Sequence, residues 1–128
     1  MPEHREHLRV RWVDTDASGR IHFTAAFRYF EIAEFELLRA LGVPYARAAE
    51  VDFPRVSVAA TFKKQLTVDD IIEVRIRPAR VGDRSVTYRC EVYHEGDLAI
   101  EGQVTAVAVG PDGKSRLLPE ALRQALTS

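Results

Sequence analysis

Two aspartates, a serine and a glycine crowd the segment Asp14-Thr15-Asp16-Ala17-Ser18-Gly19, and within a few residues the chain enters an aromatic-rich helical pattern. A carboxylate there stands beside the first turn of a helix, whose N–H groups lack intrahelical acceptors and carry partial positive charge. Asp16 can therefore activate water or attack a carbonyl directly, while amides at the helix start hold the oxyanion that develops. Losing one such donor typically slows a reaction by about 100-fold or more. Gly19 permits the tight reversal. The plainer reading is that the aspartates bond to the backbone of their own turn, a common use of Asp, and Asp14 is assigned that structural role. The D-x-D-x-S-G lettering also matches the opening of a calcium loop. Such a loop needs a bidentate Glu at its twelfth position, here Ala25, and a helix ahead of it rather than a strand, so calcium binding is rejected.

The elements that must position this turn are legible in the hydrophobic pattern. Leu8, Val10 and Trp12 alternate with Arg9 and Arg11, which predicts a half-buried strand. After the turn, Phe23, Phe27, Phe30, Ala33, Leu37 and Leu41 recur at helical spacing and define one apolar face. Tyr29, Ile32, Phe35 and Leu38 widen it, predicting a helix covered over most of its circumference until Gly42 and Pro44 end it. A loop through Pro54 leads to four strand-like segments. The first has Val56, Val58, Ala60 and Phe62 on one face; the second carries Ile72, Val74 and Ile76 and stops at Pro78; the third and fourth run over about 81–94 and 98–109. Gly82-Asp83, Glu95-Gly96-Asp97 and Pro111-Asp112-Gly113 supply turns, and Pro119 to Leu126 reads as a short terminal helix. This order predicts an α+β fold, one antiparallel sheet wrapped against a long central helix, with 1–128 as a single domain. The outer sheet face, with Arg75, Arg77, Thr87, Arg89 and Glu91, is wettable, but edge strands need protection, and a second copy would supply it.

The composition excludes several classes. With 128 residues, 46% hydrophobic and 29% charged, the chain has the make-up of an ordinary globular domain. Eighteen Lys and Arg against nineteen Asp and Glu give a formal charge of −1, which offers nucleic acid or anionic lipid no general attraction. Cys90, the single cysteine, alternates with Val86, Tyr88 and Val92 and reads as a buried core thiol, and no Cys/His spacing suits zinc. Neither a signal-peptide run nor an 18-residue apolar stretch occurs, so a cytoplasmic protein without membrane partners is expected. The G-x-S-x-G nucleophile elbow is absent.

Arg11 to Glu31, RWVDTDASGRIHFTAAFRYFE, resembles the signature of hotdog-fold acyl-CoA thioesterases, in particular the group of 4-hydroxybenzoyl-CoA and Tol–Pal-associated thioesterases. FPRVSVAATF and VGDRSVTYRCEVY follow the same order, and the likeness covers about residues 7–122. The resemblance implies hydrolysis of acyl-CoA, or of an acyl-carrier-protein thioester, without metal or cofactor, in a homodimer or homotetramer. It matches Asp16 to the catalytic carboxylate, as general base or nucleophile, and Phe23 to the residue whose backbone N–H polarises the thioester carbonyl. His22 lies one residue before that position and is assigned to lining the acyl pocket or to packing. Ala25 and Ala26 stand where the family often has Asn-Tyr, implying a roomier acyl site near Ala26, Trp12 and Phe53. Arg84 and Ser85 match a CoA-phosphate position and Arg116 lies near another; Lys63 and Lys64 are weaker candidates. The alternative is a hotdog protein that binds acyl-CoA without hydrolysing it. The acyl group is not readable from the sequence.

Overall fold

Five antiparallel strands form one sheet in the order β1-β3-β4-β5-β2. The computed structural model describes residues 1–45 and 50–128, and the part of the connecting loop at 46–49 lies outside the described residues. The strands are β1 (His4–Arg9), β2 (Arg55–Phe62), β3 (Ile71–Val81), β4 (Ser85–His94) and β5 (Asp97–Val107), with helices α1 (Ala25–Ala40) and α2 (Glu120–Thr127). The α+β reading holds. The long helix lies against one sheet face, and on the other Arg77 pairs with Glu91 and Arg89 with Glu101.

Alternation does most of this work. In β3 and β4, Ile72, Val74, Ile76, Val86, Tyr88, Cys90 and Val92 are fully or almost fully buried on the helix side. Phe30, Leu37 and Leu38 of α1 meet them, and burying each such side chain is worth ~1.5–3 kcal/mol. Gly42, at φ 77°, closes the helix.

The structure corrects several boundaries. The first strand stops at Arg9, and Trp12–Asp14 form a 3₁₀ turn, because the Asp14 carboxylate captures the Arg11 amide at 2.9 Å and pulls the chain out of the extended form. Trp12 consequently stands 82% exposed instead of on a strand face. The helix begins at Ala25, so Phe23 precedes it and is exposed; Ile32 and Phe35 also face outward, and the helix buries a stripe, not most of its circumference. β3 runs through Pro78 to Val81. Its β1 partner ends at Ile76, so a residue lacking an N–H is tolerated there, and a register shift between Pro78 and Arg80 absorbs the distortion.

β2 is an edge strand, and its helix-side residues Val56, Val58 and Phe62 are 46–61% exposed, since α1 does not reach over them. That leaves an apolar strip beside an unpaired strand edge. Among the described residues, no helix is long and apolar enough to cross a membrane.

Candidate active site

The two aspartates of the turn have opposite environments. Asp14 is 1% exposed, and its carboxylate accepts from the Arg11 amide, the Arg28 guanidinium at 3.0 Å and the Tyr29 hydroxyl at 3.0 Å. Burial pushes its pKa up, but these donors more than offset that and hold it below the ordinary carboxylate range. Its backbone carbonyl accepts from the His22 amide at 2.7 Å, which ties the turn to the start of α1. Asp14 is thus the structural member of the pair.

Asp16 is exposed. One carboxylate oxygen, Oδ1, accepts from the Ser18 amide at 2.8 Å and the Ser18 hydroxyl at 2.6 Å. Those two bonds hold its pKa below the usual carboxylate value, so it is ionised at neutral pH. The other oxygen, Oδ2, has no hydrogen-bond partner among the described residues. The turn is closed by Gly19 N to Asp16 O and Asp16 N to Arg20 O, with Gly19 at φ 82°.

The helix start is mostly satisfied from within. His22 N reaches Asp14 O, Thr24 N reaches His22 Nδ1, and the amides of Ala25, Ala26 and Phe27 bond to carbonyls three residues back. From His22 to Phe27 only the Phe23 N–H lacks an acceptor among the described residues. Asp16 and Phe23 line one cavity of about 480 Å³, together with Arg20, Ile21, Phe62, Lys63, Lys64, Gln65 and Leu66. An ionised carboxylate, an unpaired amide and an apolar wall from Ile21, Phe62 and Leu66 can together receive a polarised carbonyl.

Other expected site residues fall elsewhere. His22 is absent from the cavity wall; its Nδ1 accepts from Thr24, and its ring stacks on Phe23 at 4.6 Å, so it caps the helix. Ala25 and Ala26 are fully buried and open no space, because their methyl groups point into the core. Phe53 stacks on Tyr45 at 4.3 Å, away from the Asp16 cavity, since Asp52 pairs with Val109 and draws the loop to the far end of β5. Trp12 lines a separate recess with Val13, Thr15, Asp16 and Ala17, so it reaches Asp16 from the other side. Lys63 and Lys64 do line the cavity, though paired with Glu101 and Asp97.

Arg84, Ser85 and Arg116 sit at the opposite end of the sheet. Ser85 pairs with Val107, whereas Phe62 pairs with Ile100, itself the partner of Val92, and the stretch of β4 from Ser85 to Val92 spans about 24 Å. Arg84 donates to the Ser115 carbonyl, and the Arg116 guanidinium lies over Gly110. Within one chain they do not join Asp16.

A buried polar cluster escaped the sequence reading. Glu34, 1% exposed, accepts from Arg55 at 2.8 Å and from the Tyr45 hydroxyl, which also meets the Tyr88 hydroxyl at 3.1 Å. Glu34 sits at a core position of α1, one residue after Ala33, and that spacing was the available signal. The cluster ties the end of α1 to the start of β2 and borders no wall of the Asp16 cavity.

Known proteins resemble this chain in sequence and fold. A family model described as "Thioesterase superfamily" matches residues 18–101. A protein of Aquifex aeolicus is 32% identical over 120 residues, covering 92% of this chain and 93% of its own. The 1,4-dihydroxy-2-naphthoyl-CoA hydrolase of Prochlorococcus marinus is 27% identical over 124 residues, covering 88% of this chain and 82% of that protein. A Thermus thermophilus structure of a hypothetical protein superposes with a TM-score of 0.90 at 30% identity, covering 96% of each chain. The chain therefore belongs to the thioesterase superfamily, as a thioester hydrolase with the hotdog fold.

Proposed function

We propose that this enzyme hydrolyses acyl-CoA thioesters to the free acid and CoA, with Asp16 as general base or nucleophile and the Phe23 N–H as oxyanion donor. The observation that carries this reading is the shared cavity of the Asp16 carboxylate and the unpaired Phe23 amide. A CoA carrier is supported by the naphthoyl-CoA hydrolase relative.

As general base, Asp16 takes a proton from water while the water oxygen bonds to the thioester carbon. The carbonyl oxygen becomes an anion facing Phe23 N–H. Collapse of the intermediate breaks the C–S bond, and the proton passes to the departing thiolate. As nucleophile, Asp16 forms an anhydride, expels the thiolate, and is freed when water cleaves the anhydride. In single turnover in ¹⁸O water, label in the Asp16 carboxylate identifies the second route, since only attack of water on the Asp16 carbonyl of the anhydride can place it there.

A dimer paired along β2 is the working unit in this reading. The exposed strip of Val56, Val58 and Phe62 and the free β2 edge favour a second copy there. Two such strands running antiparallel about a twofold bring the far end of one sheet toward the Asp16 cavity of the other. Arg84, Ser85 and Arg116 can serve a CoA at Asp16 only in this way, from the partner.

The test is Asp16→Asn assayed on a panel of acyl-CoAs. A fall of about 10³-fold or more in kcat with an unchanged unfolding midpoint is expected. Undiminished hydrolysis rules out the role, and tight CoA binding by a wild-type protein inert on the whole panel favours the non-hydrolytic carrier.

A further inference from the structure

Asp16 is held on one side only. Its Oδ1 takes both the Ser18 amide at 2.8 Å and the Ser18 hydroxyl at 2.6 Å, and Oδ2 takes neither. A carboxylate oxygen has two lone pairs, so Oδ1 is fully engaged and Oδ2 is the oxygen left for a proton or a carbonyl carbon. The Ser18 hydrogen is oriented as well. Ser18 Oγ receives the Arg20 amide at 3.4 Å, a long bond, which leaves its single hydrogen for Oδ1. The turn that carries Ser18 is itself pinned. Asp16 N bonds to Arg20 O at 2.8 Å, Gly19 N to Asp16 O at 3.0 Å, and Ile21 N to Leu66 O at 3.0 Å, which ties the turn to the segment after β2.

A bond from Ser to an Asp two residues earlier is common wherever a turn needs closing. Two features here exceed that need. The backbone bonds already close the turn without the hydroxyl, and the 2.6 Å contact lies in the range of strong charge-assisted O–H···O bonds. Ser18 is also absent from the walls of both cavities that Asp16 borders, so it acts through Asp16 and not on a bound thioester.

Resting on the hydrolytic reading above, we propose that Ser18 is a positioning residue for the reaction: its hydroxyl clamps Oδ1 and so presents Oδ2 alone to the cavity. In the general-base route Oδ2 takes the proton that water gives up as its oxygen bonds to the thioester carbon. In the nucleophilic route Oδ2 itself bonds to that carbon, and the thiolate leaves with the C–S electron pair. Without the hydroxyl the carboxylate rests on one amide bond and turns more freely about Cβ–Cγ. The clamp also weakens the base, since the same hydroxyl is the first cause of the lowered Asp16 pKa. Its removal makes Asp16 more basic, so a fall in rate reports lost orientation. Arg20 and His22 on the turn, with Lys63 and Lys64 across the cavity, are the other charged or titratable groups facing Asp16 among the described residues, and all remain when Ser18 is replaced.

Wild type, Ser18→Ala, Ser18→Thr and Asp16→Asn are compared across pH on the acyl-CoA that the wild type turns over fastest. Ser18→Ala is expected to lower the plateau kcat by roughly tenfold with KM unchanged. It is also expected to move the acid limb of kcat/KM to higher pH, because a donor to the ionised carboxylate is lost. Ser18→Thr keeps a hydroxyl and should restore both. A plateau kcat in Ser18→Ala equal to or above that of the wild type overturns the clamp. So does an acid limb that stays in place, the result that a turn-closing role alone gives. Asp16→Asn at the wild-type rate overturns the hydrolytic reading and the clamp with it, whereas an inactive Asp16→Asn beside an unaltered Ser18→Ala overturns the clamp alone. The ¹³C carboxyl resonance of Asp16, identified by its absence from Asp16→Asn, reports the same titration without turnover. A midpoint common to wild type and Ser18→Ala in that titration also overturns the clamp.

Discussion

Asp14 offers a measurement in which two substitutions at one position must differ by a calculable amount. Its Oδ2 serves two buried donors, the Arg11 amide and the hydroxyl of Tyr29, which is 3% exposed. Its Oδ1 serves Arg28 and Arg11 guanidiniums that can turn to water. In Asp14→Asn the amide oxygen can keep the buried pair while the NH₂ faces the arginines, which swing outward. The loss is that of partly exposed charge-assisted bonds, about 1–2 kcal/mol. Asp14→Ala also strands the other two donors at ~1–3 kcal/mol each, for a total of about 3–8 kcal/mol. At this chain length that corresponds to a drop in Tm of roughly 10–30 °C. Urea unfolding monitored by far-UV circular dichroism reads both values, provided the m-value is unchanged. The pH dependence supplies a second check. The folded pKa of Asp14 is lowered, so its stabilisation is present above the unfolded carboxylate value near 3.8 and is lost as pH falls through the folded value. Both variants should lack that part of the acid destabilisation. Equal costs for Asn and Ala, or less than about 1 kcal/mol for Ala, would refute the assignment of Asp14 as the buried anchor.

Glu34→Gln should cost no more than about 1 kcal/mol at neutral pH, and Glu34→Ala ~3–5 kcal/mol because Tyr45, Tyr88 and Arg55 lose their common acceptor. Burial outweighs Arg55 and raises the Glu34 pKa, so wild-type stability should gain as pH falls through the folded value toward the ordinary glutamate range, and urea midpoints of the Gln variant should lack that slope. Val58→Lys places a charge in the exposed strip of β2 and should yield a monomer by light scattering with the fold intact; an unaltered dimer would remove β2 as the contact. Cys90 is fully buried and its thiol is pushed well above the ordinary range by burial, so it should resist an aromatic disulfide reagent until urea unfolds the chain.

The sheet was legible because both its faces obey period two: Ile72, Val74 and Ile76 look inward while Arg75 and Arg77 look outward, and turn residues bracket each strand. Alternation fails as a guide where a side chain competes for the backbone. Nothing in the spacing of Leu8, Val10 and Trp12 reveals that Asp14 will seize the Arg11 amide, yet that bond moves Trp12 from a strand face into solvent. Residue type misleads in the other direction at Glu34, where a charge sits at a core position because Arg55, Tyr45 and Tyr88 converge on it from elements distant in sequence. The long-range members of the expected site met the same difficulty. Arg84 and Phe53 are separated from Asp16 by strand register, which no local window contains.

What the local sequence does encode is the division of labour between the two aspartates, and the reason is geometric. A 3₁₀ turn followed by an extended residue points side chains two apart in different directions, so one of an Asp-x-Asp pair faces Tyr29 and the other faces Ser18. The inner carboxylate then fixes the turn and, through its carbonyl bond to His22 N, the start of the helix. With His22 N engaged and the amides of Thr24 to Phe27 satisfied by His22 and by the 3₁₀-type first turn, a single N–H without an acceptor is left at Phe23, a residue that lines the cavity of the outer carboxylate. A catalytic Asp16 thus requires a buried Asp14. The converse does not hold, so loss of Asp16 should stop hydrolysis while leaving the unfolding curve where it was.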